Sequence, residues 1–287
     1  MSDNKKEKKE LDENHKKKHE DLLRKSTGLF KKPSVVSRDQ VVVSSEVSVT
    51  LVEFEHADVK GATMLTGFPG ATLTSILVAG FLRDAMELPL IGCITSPHFP
   101  PRCLIEKGQP MHPIRIFGDS NLVIVVCEFK LPTPELIAGV TQAAYLFAER
   151  HELAMVLTVE GLPMEKLSED KANVLAFVST SDKFRSKMSE LKHEPLEDSV
   201  IVGVAGAMLA EATTRDIDVA CLVAPTSAEF PDARSAVACV KAIDHALEEI
   251  TIDTKPLQKK AEALSLTVEK LLKQEKSESK SVSSMYL

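Results

Sequence analysis

Residues 64–82 read Met-Leu-Thr-Gly-Phe-Pro-Gly-Ala-Thr-Leu-Thr-Ser-Ile-Leu-Val-Ala-Gly-Phe-Leu. This stretch predicts a short buried strand, a tight turn and a helix, with Thr72 or Thr74 as the helix cap. A strand that enters a helix through a glycine turn is the opening unit of a parallel α/β sheet. One helix face is expected to be apolar because its residues recur at spacings of three and four: Leu73, Ile76, Leu77, Gly80 and Phe81.

The turn itself is Gly67, Phe68, Pro69 and Gly70. Glycine reaches positive φ at little steric cost, and proline fixes one φ at about −65°. Such a turn can hold a phosphate group at a helix N-terminus or can simply allow close packing. The stretch lacks the Gly-x-Gly-x-x-Gly and Gly-Lys-Ser/Thr patterns, and its first following basic residue is Arg83. We therefore interpret the four residues as a structural turn.

Composition excludes several classes of function. The 287-residue chain is 44% hydrophobic and has a net charge of −7, with no Trp. Residues 1–25 carry nine Lys/Arg against seven Asp/Glu, so the remainder is strongly acidic. This argues against nucleic-acid binding, and no apolar run is long enough to span a membrane. The five cysteines form no Cys-x-x-Cys pair, which favours a reducing, cytoplasmic location.

Changes in composition along the chain predict four regions. Residues 1–40 are expected to form a disordered charged tail, 41–250 an α/β core domain, 251–273 a C-terminal helix and 274–287 a flexible tail. Strands that alternate with helices predict a doubly wound sheet. Further strands are expected at 47–54, 88–95, 114–117, 122–127, 153–159, 174–178, 200–204 and 219–224, and further helices at 132–150, 181–191, 206–215 and 234–249.

A proline-rich segment interrupts the sheet after residue 95. Its prolines remove backbone donors, so the chain must leave the sheet here. An aromatic residue between prolines is typical of an anchored loop, which can be a pinned surface loop or a binding loop. The candidate interface residues are Phe99, Pro100 and Pro101.

The sequence closes with Met285, Tyr286 and Leu287 after a polar stretch. One interpretation is a frayed end with incidental apolar residues. The other is a docking peptide, because tyrosine is a large and fairly rigid anchor and a terminal carboxylate can be captured by a partner pocket. Several copies on one assembly would raise the effective concentration of such a weak anchor. We favour the docking interpretation.

Five short landmarks occur in order along the chain: Gly67-Phe68-Pro69-Gly70, Ile91-Gly92 with Phe99-Pro100-Pro101, Pro113-Ile114-Arg115-Ile116, Glu160-Gly161-Leu162-Pro163 and Pro231-Asp232-Ala233-Arg234. Together with the closing residues they resemble the proteasome assembly chaperone family, in its archaeal-type homo-oligomeric branch. The resemblance covers about residues 47–272. The chain departs from it at 71–74, where relatives tend to carry further glycines.

The resemblance implies a three-layer α/β/α sandwich, similar to the nucleoside phosphorylase layout but without its chemistry. It further implies a homo-oligomer, a tetramer or pentamer, that binds 20S proteasome α subunits as an assembly chaperone or ATP-independent activator. The hydrophobic-Tyr-any motif of some members falls on Met285, Tyr286 and Leu287. Tyr286 would then sit between adjacent α subunits, with the Leu287 carboxylate on a pocket lysine.

Patterns for catalysis are weak, and we expect no catalytic residues, no metal and no cofactor. His15 and His19 have a metal-compatible spacing but lie in the polar tail. Glu128 and Glu160 are expected at strand ends, where α/β enzymes keep catalytic acids. The alternative function is therefore a phosphorylase- or hydrolase-like enzyme with a site near Gly67, Glu128 and Glu160.

Overall fold

Twelve strands and five helices make up the part of the chain that the computed structural model describes, residues 32–44, 47–106, 108–164, 174–227, 233–247 and 252–253. In chain order they are β1 (Val35–Val42), β2 (Ser48–Phe54), β3 (Thr63–Gly67), α1 (Thr74–Ala85), β4 (Leu90–Thr95), β5 (Leu104–Glu106), β6 (Gln109–Met111), β7 (Ile114–Gly118), β8 (Leu122–Cys127), α2 (Pro134–Arg150), β9 (Met155–Met164), β10 (Ala176–Ser179), α3 (Asp182–Glu190), β11 (Glu194–Pro195), α4 (Gly203–Ala212), β12 (Asp218–Ser227) and α5 (Ala233–Ala246).

Ten of the strands form one mixed sheet in the order β1-β2-β4-β7-β8-β3-β9-β12-β10-β11. The central strands β8, β3, β9 and β12 are parallel to their neighbours within this group. On one side, β1, β2, β4, β7 and β8 pair antiparallel, and on the other β10 pairs antiparallel with β12. Strands β5 and β6 form a separate hairpin. The predicted α/β fold is confirmed, but the doubly wound scheme applies only to the parallel centre.

Helices cover both faces of the sheet, so that there are two hydrophobic cores. The side chains of α2 and α4 pack in one core, whereas those of α1, α3 and α5 pack in the other. Successive residues of a strand point to opposite faces. Accordingly, Val123 and Val125 of β8 belong to the first core, and Leu122 and Ile124 belong to the second. Among the described helices, none combines the length and apolar composition that crossing a membrane requires.

Helix α2 forms as its sequence predicts. Thr133 is the N-cap, and its Oγ1 accepts a hydrogen bond from the backbone N–H of Leu136 at 3.3 Å. Pro134 occupies the first helical position, where its missing N–H costs nothing. Helical spacing in the sequence predicts one apolar face made of Leu136, Ile137, Val140, Ala144 and Phe147. The structure confirms this face, with Ile137 partly buried and the other four fully buried.

The strand and the helix predicted over 64–82 are confirmed as β3 and α1, but the cap and the buried face differ. Leu73 is the N-cap, and Thr72 Oγ1 instead accepts from the Thr74 N–H at 3.3 Å. Leu73 is 47% exposed, while Ile76, Leu77 and Gly80 are only partly buried. Of the predicted face only Phe81 is buried. The side of the helix that packs on the sheet brings Ala79 close to Gly67 of β3, and the buried residues of the helix are Thr74, Ser75, Val78, Ala79, Phe81 and Leu82.

Three further expectations are corrected by the strand pairing. Residues 200–202 precede α4 as an exposed loop and not as a strand, with Val200 84% exposed and Val202 63% exposed. Strand β9 continues past the predicted end at residue 159 because β12 pairs with it as far as Met164. Strand β1 starts at Val35, so the tail boundary predicted at residue 40 is wrong.

Several predicted regions lie outside the described residues. They are the charged tail up to residue 31, the end of the helix predicted to reach 249, nearly all of the helix predicted over 251–273, and the tail 274–287. The last described residues are Ile252 and Asp253, and the Ile252 N–H donates to Asp244 Oδ1 of α5 at 3.1 Å.

Candidate functional site

Six strands of the sheet run in the same direction, so their carboxyl ends meet at one edge. These strands are β1, β4, β8, β3, β9 and β12. The edge carries the turn at 67–70 after β3, the loop at 96–101 after β4, Glu128 after β8, and Glu160 within β9. We call it the carboxyl edge. The residues that the sequence singled out in the core therefore share one edge of the sheet.

The turn at 67–70 packs closely against helix α1 and against Glu160 of β9. A Cβ atom at Gly67 would lie 2.4 Å from Ala79 Cβ, and one at Gly70 would lie 1.9 Å from Glu160 Oε2. Phe68 is buried in the core, and its carbonyl oxygen accepts a hydrogen bond from Ser75 Oγ of α1. The protein's own side chains thus fill the space that the glycines leave. This geometry supports the interpretation as a structural turn over that of a phosphate site.

Glu160 is the carboxylate that faces this turn. Its carboxyl accepts a hydrogen bond from the Ala71 backbone, which opposes the larger effect of burial. Burial disfavours the charged form and raises the pKa of Glu160 to about 7. A group with this pKa can exchange protons near neutral pH, which is the property that the enzyme alternative requires.

Replacing Glu160 with glutamine should stabilise the protein at high pH and much less at low pH. The pKa of Glu160 is raised in the folded state, so wild type loses stability as pH rises from the ordinary value of 4.5 through about 7. Glu160→Gln should therefore raise the free energy of unfolding by about 2 kcal/mol more at pH 8 than at pH 5. Urea unfolding of both proteins at the two pH values measures it. An equal difference at pH 5 and pH 8 would contradict the assignment.

Glu128, the other predicted carboxylate, belongs to an ion-pair network. It pairs with Arg115 of β7, whose Nη1 is also 3.3 Å from Glu106 Oε2. Arg83 of α1 reaches the other Glu106 oxygen at 3.2 Å, and Arg115 is only 2% exposed. Sequence reasoning missed this network, although a charged residue between the apolar Ile114 and Ile116 was a signal. Glu128 and Glu160 thus engage different partners.

The loop at 96–101 is anchored by its aromatic residue. The Phe99 ring meets that of Phe129 edge to face, with centroids 5.8 Å apart, and Phe99 packs on the core of α2. Ser96 Oγ donates to the Ser48 carbonyl oxygen of β2 at 2.7 Å. Pro100 is partly buried and Pro101 is exposed. The anchor that the sequence predicted is present, and the role of the loop in an interface stays a prediction.

Met285, Tyr286 and Leu287 lie outside the described residues. Their docking role therefore stays a prediction from the sequence. All five cysteines are free, and four are buried. Burial raises the pKa of Cys93, Cys127 and Cys221 to about 12, which keeps these thiols unreactive.

Known structures share this fold. Pyrococcus furiosus PbaA, an archaeal homolog of proteasome-assembly chaperone, superposes with a TM-score of 0.70 at 24% identity over 80% of this chain and 98% of PbaA. Pyrococcus furiosus PbaB, an archaeal proteasome activator, gives 0.66 at 21% identity over 78% of this chain and 98% of PbaB. A PAC2 family protein from Streptomyces avermitilis gives 0.52 at 15% identity, over 73% and 95% of the two chains.

At these identities the structural likeness establishes the fold and not the activity. Among curated protein sequences, none matches this chain significantly. The sequence model of the PAC2 family, however, matches residues 64–272. The match begins at β3, includes the turn at 67–70 and the Phe99 loop, and extends beyond α5. The chain therefore belongs to the PAC2 family.

Proposed function

We propose that this chain is a cytoplasmic proteasome-binding protein, an assembly chaperone or ATP-independent activator. It acts as a homo-oligomer, a tetramer or pentamer, and inserts Met285, Tyr286 and Leu287 into pockets of the 20S α ring. The family match over residues 64–272 carries the proposal. Its similarity in fold to PbaB, a proteasome activator, and to PbaA, a homolog of proteasome-assembly chaperone, supports the same class of partner.

Apolar surface at the carboxyl edge supports self-association. Leu73, at the start of α1, is 47% exposed, and Ile76 and Leu77 continue the same side of the helix. The loop with Pro100 and Pro101 leaves the sheet at the same edge, but its Phe99 packs in the core on the opposite face of the sheet from Leu77. Exposed apolar residues on one side of a helix are typical of protein interaction surfaces. We assign this edge to contacts between copies of the chain.

In this proposal the contacts with the proteasome come from residues 285–287, and the folded α/β body serves to hold several copies together. One short apolar peptide binds weakly, but several peptides carried by one oligomer bind with a much higher effective concentration. Tyr286 supplies the aromatic anchor, and the Leu287 carboxylate supplies a charge for a pocket lysine. ATP is not required in this scheme because binding energy alone holds the peptides in place.

The free cysteines fit a cytoplasmic location. None of the five forms a disulfide, as is usual where glutathione and thioredoxin keep thiols reduced. The enzyme alternative has less support. Glu160 has the pKa of a catalytic acid, but its carboxyl packs against the 67–70 turn, and Glu128 pairs with Arg115.

Native mass spectrometry of the full chain, alone and mixed with 20S particles, tests the proposal. We expect an oligomer of the chain by itself and a complex of that oligomer with the 20S particle. Deleting residues 285–287 should abolish the complex and leave the oligomer intact. Failure of the intact chain to form the complex would contradict proteasome binding, and a complex that survives the deletion would contradict the docking mode.

A further inference from the structure

Two histidines and a glutamate converge at the edge of the sheet opposite the carboxyl edge. Glu53 lies near the end of β2, His56 follows three residues later, and His151 is the C-cap of α2. One ligand atom from each side chain lies within 4.8 Å of those of the other two. We call Glu53, His56 and His151 the Glu-His cluster. No short sequence motif marks the cluster, because Glu53 and His151 are 98 positions apart.

The carboxylate of Glu53 is oriented by its surroundings. The residue is only 4% exposed, and its Oε1 accepts hydrogen bonds from Arg150 and, at 3.3 Å, from Ser37 Oγ. Its Oε2 lies 2.6 Å from His151 Nε2 and 3.9 Å from His56 Nε2. One carboxylate oxygen is thus held by protein donors, while the other faces both imidazole nitrogens.

The two imidazole rings are also held in place. His56 Nδ1 lies 2.5 Å from the carbonyl oxygen of Ala57, a contact that requires the proton on Nδ1 and leaves the lone pair on Nε2. Metal-binding histidines commonly donate their second N–H to a backbone carbonyl in this way. The His151 ring packs against Phe147, with centroids 4.4 Å apart, and lies 5.2 Å from the His56 ring.

Local charge favours a cation at this point. Arg150 Nη1 is 2.9 Å from Asp39 Oδ2 and also binds Glu53. Two carboxylates therefore surround one guanidinium, and a negative charge remains when both imidazoles are neutral. The side chains of His56 and His151 are 11% and 20% exposed, which gives an ion access from solvent.

We propose that the Glu-His cluster binds Zn²⁺ through Glu53 Oε2, His56 Nε2 and His151 Nε2, with water as a fourth ligand. Two imidazole nitrogens and one carboxylate oxygen are a donor set that zinc accepts, at bond lengths of about 2.0–2.2 Å. Ligand atoms of a tetrahedral zinc lie about 3.3 Å apart. His56 Nε2, now 3.9 Å from Glu53 Oε2, must therefore move inward, and the 2.6 Å hydrogen bond between His151 Nε2 and Glu53 Oε2 must open, with its proton released to water as the ion binds. The ion joins the end of β2 to the end of α2. This differs from the expectation of no metal.

Cobalt titration of the full chain, freed of metal with a chelator, tests the site. Co²⁺ replaces Zn²⁺ in such sites and reports nitrogen and oxygen ligands by its visible absorption. The titration uses a chain with His15→Ala and His19→Ala, so that this pair cannot compete. We expect saturable binding of one Co²⁺ per chain, and an affinity at least about 100-fold lower after either His56→Ala or His151→Gln.

The matched control is His245→Ala, which removes an exposed imidazole on α5 and should leave Co²⁺ affinity unchanged. Circular dichroism and urea unfolding without metal verify that each variant folds. Zn²⁺ should also raise the thermal midpoint of the parent chain but not that of His56→Ala. Absence of saturable Co²⁺ binding, or equal affinity in the parent and both cluster variants, would overturn the proposal and leave only a histidine-carboxylate pair.

Discussion

Tyr286→Ala is expected to weaken co-sedimentation of the chain with 20S proteasomes by about 30-fold or more in apparent affinity. Truncating a buried aromatic anchor at an interface typically costs about 2 kcal/mol or more. In the proposed homo-oligomer every copy loses its anchor together, so the loss of affinity is expected to multiply over the tails. The oligomer itself should be unaffected, since Tyr286 lies outside the region that matches the PAC2 family.

Three related variants make this test specific. Tyr286→Phe keeps the ring and should retain most of the binding, whereas Ser284→Ala, two positions earlier, should change nothing. A glycine added after Leu287 moves the terminal carboxylate and should weaken binding about as much as Tyr286→Ala. If Tyr286→Ala co-sediments like the unaltered chain, the tyrosine is not the anchor and the docking mode fails.

Gly67→Ala is expected to lower the free energy of unfolding by about 3 kcal/mol. The added methyl group would lie 2.4 Å from Ala79 Cβ and 3.2 Å from the Ser75 carbonyl oxygen. Neither atom can move by rotating a side chain, so α1 must shift away from β3. Overpacking of this kind typically costs about 1–3 kcal/mol. Urea unfolding of the variant and the unaltered chain measures the difference.

A double-mutant cycle with Ala79→Gly identifies the cause. Removing the Ala79 methyl group relieves the 2.4 Å contact, so the double variant should be about 1–2 kcal/mol more stable than the two single losses predict. Gly80→Ala is the control because a Cβ there meets nothing within 4 Å. It should stabilise α1 by about 0.5–1 kcal/mol. Additive losses in the cycle would rule out the Gly67–Ala79 contact as the source.

The elements that the sequence predicted well are those with a strong local signal. Helix α2 begins with a threonine cap followed by proline, and the turn between β7 and β8 has the polar composition of a hairpin. Helix α1 was located correctly, but its buried face was not. Apolar residues lie on nearly every side of this helix, so the spacing of apolar residues does not show which side is buried. The close approach of Ala79 to Gly67 fixes the buried side, and this approach is visible only in the folded structure.

The predicted strand bounds were wrong where pairing with a neighbouring strand, and not the local sequence, determines the structure. Strand β1 contains Arg38, Asp39 and Gln40, and its polar sequence resembles a tail until the pairing with β2 is seen. Strand β9 passes through Gly161 and Pro163 because β12 runs alongside it. Val200 and Val202 have strong strand propensity, yet they lie exposed in a loop without a pairing partner in the described chain. Propensity is a weak guide when tertiary contacts oppose it.

Candidate sites marked by a local sequence pattern were predicted, and those formed by residues distant in the sequence were not. The 67–70 turn and the Phe99 loop were visible because glycine and proline restrict the backbone locally. The Arg115 network and the Glu-His cluster depend on side chains distant in sequence, so the fold had to bring them together. The proposed docking role of Met285, Tyr286 and Leu287 rests on the sequence, and a binding experiment tests it.

Alternation along β8 has a consequence for how this molecule can diverge. Neighbouring residues such as Val123 and Ile124 serve separate cores, so a substitution in one layer leaves the packing of the other almost untouched. Substitutions among the side chains that face α1 and α5 are therefore expected to leave the side chains that face α2 in place. Inserting a single residue into β8 would be far more harmful, because it exchanges the two sets of side chains.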